Sequence, residues 1–341
     1  MKLVLNGHDE RYVVEQGMLN LFPGERPVYE PIGPGDDSWA VVTLREDDRC
    51  HVTVELCFRG KSLPYSLDVP LVGDEFQREG IRRRAIGKCF FLAARALTGH
   101  TPPWGMLTGV RPVKLPTRAL LSGATPLQAK QELREEYYVS PDRAALAVDC
   151  AQASLDDQRE LEEGQVSLYI GIPFCPTRCA YCSFISADVQ RSLALVEPYV
   201  DALLKEIDGT ARVLTESGRT IRSFYMGGGT PTTLSARQLD RVLTRCEQVL
   251  PLEGCTELTV EAGRPDTITA EKLVVLRTHG VTRVSVNPQT FEENVLRAIG
   301  RCHTAADIDR AMELVARCGF PHVNMDLIAG LPGDTVESFE R

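Results

Sequence analysis

From residue 167 onward the sequence alternates short β-rich runs with longer amphipathic helical runs, and this rhythm restricts the fold more than any other feature. Strands are expected at 167–170, 223–226, 257–261, 283–286 and 322–328. Helices are expected between them at 197–214, 235–249, 269–279 and 305–318. Gly280 and Gly319 follow two of these helices directly, where C-terminal stop signals belong. Repeated βα units bring their strands into a parallel sheet. The expected fold class is therefore α/β: a partial (β/α) TIM-like barrel over 161–341, with a smaller N-terminal α+β and helical domain over 1–160. The barrel is expected to stop before its last strand. Asp334-Thr335-Val336-Glu337 reads as a capping box opening a helix, and the sequence reaches Arg341 about two turns later. The fifth strand is then left with an unpaired edge.

The first hundred residues read as βαββα. The elements are a strand at 2–5, a helix at 9–22 stopped by Pro23-Gly24, a hairpin of 38–45 with 50–59 across Asp47-Asp48, and a helix at 75–97. From 101 to about 158 the pattern is helical. Thr125-Pro126 and Ser140-Pro141 both pair an N-cap with Pro at the first helical position. The acidic run 156–164 ends in Gly and reads as the linker between the two domains.

A net charge of −9 argues against a nucleic-acid binder, which usually carries a basic face. No apolar run approaches the ~20 residues of a membrane helix, and the first residues are too short for a signal-peptide core. A cytoplasmic protein is expected. Eleven cysteines are many for that compartment, where structural disulfides are rare. Eight of them are scattered (Cys50, Cys57, Cys89, Cys150, Cys246, Cys255, Cys302 and Cys318) and read as small core-filling hydrophobes.

The other three are crowded in Cys175-Pro176-Thr177-Arg178-Cys179-Ala180-Tyr181-Cys182, with spacing C-x3-C-x2-C. Three thiolates on one short loop can converge on one metal centre. A closed structural zinc site wants four ligands, and an iron–sulfur cage commonly has four thiolates. Three leave one coordination position open. A zinc site completed by a distant Cys or His is the competing reading, and a redox C-x-x-C leaves Cys175 unexplained. Further motifs stand at the later strand ends. Gly227-Gly228-Gly229-Thr230-Pro231 follows the second strand, where glycines let backbone approach a ligand closely. Glu261 ends the third strand and could accept a hydrogen bond from a ribose hydroxyl or an ammonium group. Asn287-Pro288-Gln289 follows the fourth strand, with Arg301 one helix later. Asp326 lies within the apolar fifth strand, so it is expected to be buried and either paired or ligand-facing.

The cysteine spacing, with aromatic Tyr181 before the last Cys, resembles the signature of the radical S-adenosylmethionine (SAM) superfamily. That resemblance implies a [4Fe–4S] cluster held by Cys175, Cys179 and Cys182. Its open iron chelates the amino and carboxylate groups of SAM, and an electron splits SAM to methionine and a 5′-deoxyadenosyl radical. Tyr169-Ile170-Gly171-Ile172-Pro173-Phe174-Cys175, the GGGTP run, Val286-Asn287-Pro288-Gln289 and Asp326 with Gly330-Leu331-Pro332 are similar to the oxygen-independent coproporphyrinogen III oxidase branch. Thr108-Gly109-Val110-Arg111-Pro112 and Glu261-Ala262-Gly263-Arg264-Pro265-Asp266 are similar to its coproporphyrinogen dehydrogenase HemZ subgroup.

By that resemblance Tyr169, Tyr181, Gly228, Gly229, Thr230, Glu261, Gln289, Arg301 and Asp326 hold SAM, one molecule or two. The implied activity is oxidative decarboxylation of coproporphyrinogen III propionates to vinyl groups in porphyrin biosynthesis. A tetrapyrrole is the substrate, and flavodoxin or ferredoxin is the kind of electron donor. Arg178, Arg264 and Arg301 are candidates for gripping substrate carboxylates. The alternative is a heme-binding or heme-trafficking chaperone on the same scaffold, to which Ser183-Phe184-Ile185-Ser186 is at least as close. Gly171 and Ser183-Phe184 depart from the oxidase pattern, which has His before Ile-Pro-Phe-Cys and Gly-Cys after the last cysteine.

Overall fold

The computed structural model describes residues 1–108, 111–184 and 186–341. Gly109 and Val110 of the Thr108-to-Pro112 motif, and Ile185 after the cysteines, lie outside the described residues. The chain divides into two compact units, Met1–Glu160 and Leu161–Arg341. Among the described residues no helix is long and apolar enough to cross a membrane.

The first unit is a four-stranded sheet under two helices, followed by three more helices. Strand β1 (Lys2–Asn6) runs parallel to β2 (Trp39–Glu46). β2 pairs antiparallel with β3 (Arg49–Phe58), and β3 with β4 (Lys61–Pro70). The turn between β2 and β3 is closed by the Asp47 carboxylate, which accepts from the Arg49 amide at 2.7 Å. β4 is absent from the expected βαββα order. Its run contains Pro64 and Pro70, which lower a strand reading, yet it is an edge strand, where a missing N–H is tolerated.

Helices α1 (Arg11–Leu21) and α2 (Glu75–Thr98) bury one sheet face around Val52, Val54, Leu56, Ile86 and Phe90. A complete capping box of Asp74 and Gln77 starts α2, and Gly99 in the left-handed conformation ends it. Cys50 and Cys89 are buried in this core, and burial pushes the Cys89 thiol up to about 12. α3 (Lys114–Leu121), α4 (Pro126–Glu136) and α5 (Pro141–Arg159) share a smaller core that includes Leu133 and Val148. The acidic run is not all linker. α5 continues through Arg159, helped by an ion pair from Arg159 to Asp156 at 2.7 Å.

The second unit is a parallel sheet with its strands in near-sequential order. β5 (Gln165–Ile172) precedes the short bridge of β6 (Phe174–Cys175) with β7 (Ala187–Asp188) and helix α6 (Val189–Glu216). Then follow β8 (Thr220–Gly228), α7 (Ala236–Val249), β9 (Glu257–Glu261), α8 (Ala270–Thr278) and β10 (Arg283–Gln289). The last elements are α9 (Glu293–Ala298), α10 (Ala305–Cys318), β11 (His322–Leu327) and α11 (Val336–Glu340). The sheet order is β11-β10-β9-β8-β5, every pair parallel. α6 is longer than the helix expected at 197–214. It includes a non-helical Ser192 and keeps Pro198 inside. α11 is capped by Thr335, one residue beyond the expected Asp334, through its bond from the Ser338 amide.

Register explains how this unit presents a site. Ile170, Met226, Val260 and Val284 lie side by side across β5, β8, β9 and β10, all buried against the helices. Strand side chains alternate between faces. The neighbouring positions Tyr169, Tyr225, Glu261 and Ser285 therefore lie on the other face, with Asn324 of β11 in register with Ser285 and Asp326 two residues further along that strand. A parallel sheet usually has both faces covered. Here one face is apolar and helix-covered and the other is polar, the pattern of a partial barrel.

Candidate functional site

The cysteine loop is pinned by backbone bonds from several elements. The Ala187 amide donates to Pro173 O at 2.7 Å, closing the loop at its base. The Ala180 amide donates to Ile299 O at 3.0 Å, and Thr177 Oγ1 donates to Gly300 O at 2.7 Å. Gly300 has a φ of 77°, and a Cβ there would stand 3.0 Å from Arg178 O. This turn after α9 accordingly needs glycine to receive the loop. All three cysteines are half-buried with free thiols. Cys175 Sγ lies 3.5 Å from Thr230 Oγ1, and Cys179 Sγ accepts from Arg264 Nη1 at 3.7 Å. Among the described residues no three His, Cys, Asp or Glu side chains are gathered into a ready metal cage. The thiols share one loop, with Cys175 turned toward Thr230 and Cys179 toward Arg264.

The glycine run docks against the same loop. The Gly229 amide donates to Ile172 O at 2.7 Å and the Thr230 amide to Phe174 O at 2.8 Å. A Cβ at Gly229 would meet Phe174 O at 2.6 Å, and Gly228 adopts a φ of 106°. Both glycines are thus dictated by backbone approach between the ends of β5 and β8. Thr230 is buried, with its hydroxyl beside the first cysteine.

On the polar sheet face Glu261 is half-buried and accepts from Tyr225 Oη at 2.5 Å, while Tyr225 stacks on Tyr169 with ring centroids 5.9 Å apart. Burial raises the Glu261 carboxyl, the Tyr225 hydroxyl draws it down, and Asp326 raises it again. Asp326 contradicts the expectation of a buried acid. It is exposed on β11 and accepts only from Asn324 Nδ2 at 3.0 Å among the hydrogen bonds of the described residues. The physical reason is the sheet order: β11 is an edge strand whose six residues are all exposed.

Gln289 is buried and has a φ of 70°, unusual for a residue with a side chain. The register break between Val286 and Gln289 places it there. Arg301 is buried, donating through Nη1 to Asn287 O at 2.5 Å and through Nη2 to Tyr181 Oη at 3.0 Å. Burial raises Tyr181 to about 12, with Arg301 opposing and Cys179 adding to the rise.

The structure therefore joins Thr230 to Cys175, Tyr181 to Arg301, and Tyr169 and Asp326 electrostatically to Glu261. It turns Arg264, one of the arginines expected to grip substrate carboxylates, inward. That side chain is 2% exposed and turned into the cysteine loop. Arg178 is exposed. Tyr225, Thr177, Gly300 and His303 escaped sequence reading. Tyr225 was findable as the cross-strand aromatic partner of Tyr169. His303 is 3% exposed, and burial followed by the neighbouring Arg301 lowers it to about 4, so it is neutral at pH 7.

The radical SAM superfamily model matches residues 169–341. The oxygen-independent coproporphyrinogen-III oxidase-like protein HemZ of Bacillus subtilis is 35% identical over 350 residues, covering 100% of this chain and 69% of that protein. The heme chaperone HemW of the same organism is 39% identical over 177 residues, covering 51% of this chain and 45% of that one. Among solved structures, coproporphyrinogen III oxidase (HemN) from Escherichia coli superposes with a TM-score of 0.47 at 32% identity, covering 55% of this chain and 43% of that chain. The chain thus spans about two thirds of the HemZ relative and under half of the other two.

Proposed function

The chain belongs to the radical SAM superfamily, whose cofactors are a [4Fe–4S] cluster and SAM, and from that premise we propose that it converts coproporphyrinogen III propionates to vinyl groups. In this reading Cys175, Cys179 and Cys182 hold the cluster. The residues suit it. Three thiols on one loop leave one position open, and a guanidinium faces one of the thiols. With SAM bound, the pair supplies a radical able to take a hydrogen atom from an unactivated carbon. Each propionate loses a hydrogen atom at its β-carbon, its carboxylate leaves as CO2, and one electron passes to an external acceptor.

The chain's own groups have definable tasks in this scheme. Gly228 and Gly229 let the ends of β5 and β8 approach closely, which seats the GGGTP turn against the cysteine loop, and Thr230 presents a hydroxyl beside Cys175. Glu261, drawn toward its proton-holding form by burial, faces the polar side of the sheet with Tyr169 and Asp326. Arg301 keeps Tyr181 oriented over the loop. The observation that carries the proposal is the meeting of the cysteine loop, the GGGTP turn and the turn at Gly300 at the strand ends, in a chain matched along its whole length by the HemZ relative.

A second reading has its own support. Phe184 is 64% exposed two residues after Cys182, and the heme chaperone HemW is similar over half the chain. An exposed aromatic beside the cluster suits stacking on a macrocycle. One anaerobic assay separates the two, using SAM, a reductant and coproporphyrinogen III. The oxidase reading expects 5′-deoxyadenosine and vinyl product together, both abolished in C179A. Stoichiometric heme binding without vinyl product selects the chaperone reading. Deoxyadenosine formation surviving in C179A refutes the ligand assignment.

A further inference from the structure

A guanidinium taken out of water must have its charge and its N–H groups answered by partners. Arg264 is 2% exposed, and its partners lie on three sides. Nε donates to Asp266 Oδ1 at 3.3 Å. Nη2 donates to Thr177 Oγ1 at 3.1 Å, and Nη1 to Thr177 O at 3.4 Å and to Cys179 Sγ at 3.7 Å. Thr177 passes the connection on, since its hydroxyl donates to Gly300 O. The segment that presents Arg264 is itself braced. Its carbonyl accepts from the Thr267 amide at 2.9 Å and from Thr267 Oγ1 at 2.8 Å. One buried cation therefore spans the loop after β9 and the middle of the cysteine loop, with Asp266 as its one carboxylate partner among the described residues.

We infer that Arg264 is a positioning residue: it docks the cysteine loop through Thr177 and, by its positive charge beside Cys179, raises the reduction potential of the cluster that loop carries. The inference rests on the cluster assignment made above. Hydrogen bonds to ligating sulfur and nearby charge set the potential of such centres. Reduction adds negative charge, which a fixed positive donor stabilises. Docking depends on the planar fork, because a lysine ammonium cannot reach Asp266, Thr177 and Cys179 with fixed geometry. The two effects can therefore be separated by substitution.

The full chain is reconstituted anaerobically as wild type, R264K and R264M, with folding checked by circular dichroism. Two readouts follow: iron loss to a chelator over time, and the reduced-cluster signal in a redox titration. R264M is expected to lose iron faster and to hold about tenfold less reduced cluster at a fixed potential, which is about 59 mV for a one-electron couple. R264K is expected to lose iron faster while keeping a potential near wild type. Should R264M fail to fold, the R264K chelation rate decides, and a wild-type rate there overturns the proposal. Variants that match the wild-type cluster in both readings overturn it while leaving the cluster assignment standing. A wild-type chain that takes up no cluster overturns the assignment and this proposal together.

Discussion

Glu261 shows how a single residue reports on the site. Its carboxyl is raised from the usual 4.5 chiefly by burial, with Tyr225 lowering it and Asp326 raising it. A raised value in the folded chain means that the native state keeps the proton longer than the unfolded chain does. Stability is then greatest below the unfolded value and falls as pH rises through the folded one. Glu261→Gln imitates the protonated form and keeps an acceptor for Tyr225. Wild type and E261Q should be equally stable near pH ~4, with E261Q the more stable near pH ~7.5. Urea denaturation at both pH values checks this, and a difference that is constant with pH would mean that the carboxyl is not raised. The scattered cysteines divide: Cys50, Cys57, Cys89 and Cys246 are buried as core fillers, whereas Cys150 and Cys302 are exposed and fill no core, contrary to expectation. Cys246 is 1% exposed in the α7 core, and burial pushes its thiol up to about 12, so it is an inert filler as its isolated position in the sequence implied.

At the scale of elements, the close approach of β5 and β8 is the part with least slack. Gly229→Ala would put a methyl 2.6 Å from Phe174 O and 2.8 Å from Ile172 O, two carbonyls already engaged by the Thr230 and Gly229 amides. Neither can move without breaking its bond, so G229A should cost about 1–3 kcal/mol and weaken SAM retention. Gly209 in α6 has nothing within 4 Å of a built Cβ, and Gly209→Ala should stabilise by about 1 kcal/mol through helix propensity alone. Thermal melts of the two variants side by side test the contrast. G229A melting with wild type would mean that the turn can yield. Elements were legible wherever local periodicity was strong. β4 was missed because its two prolines argued against a strand, and only its place at the sheet edge makes them harmless.

Across the whole molecule the units Met1–Glu160 and Leu161–Arg341 each hold their own apolar clusters. Leu56, fully buried in β3, belongs to the first. Leu56→Ala should destabilise that core by about 2–5 kcal/mol while iron content after reconstitution stays at the wild-type level. Iron lost in step with stability would instead show that the two cores fold as one. The sequence by itself determined the βα rhythm, the three-cysteine loop and the glycines at the strand ends, because periodicity and short spacings are properties of chain neighbours. Only the tertiary structure decided that Tyr225 reaches Glu261 across 36 residues, Arg264 reaches Cys179 across 85, and Arg301 reaches Tyr181 across 120. It also decided that Asp326 is exposed, a consequence of β11 lying at the sheet edge. Such contacts depend on strand order, register and the turn each side chain leaves from, and no short stretch of sequence encodes these. The same cysteine loop was therefore readable as a metal-binding spacing, while the arginine that braces it became visible only once β9 and the loop were folded together.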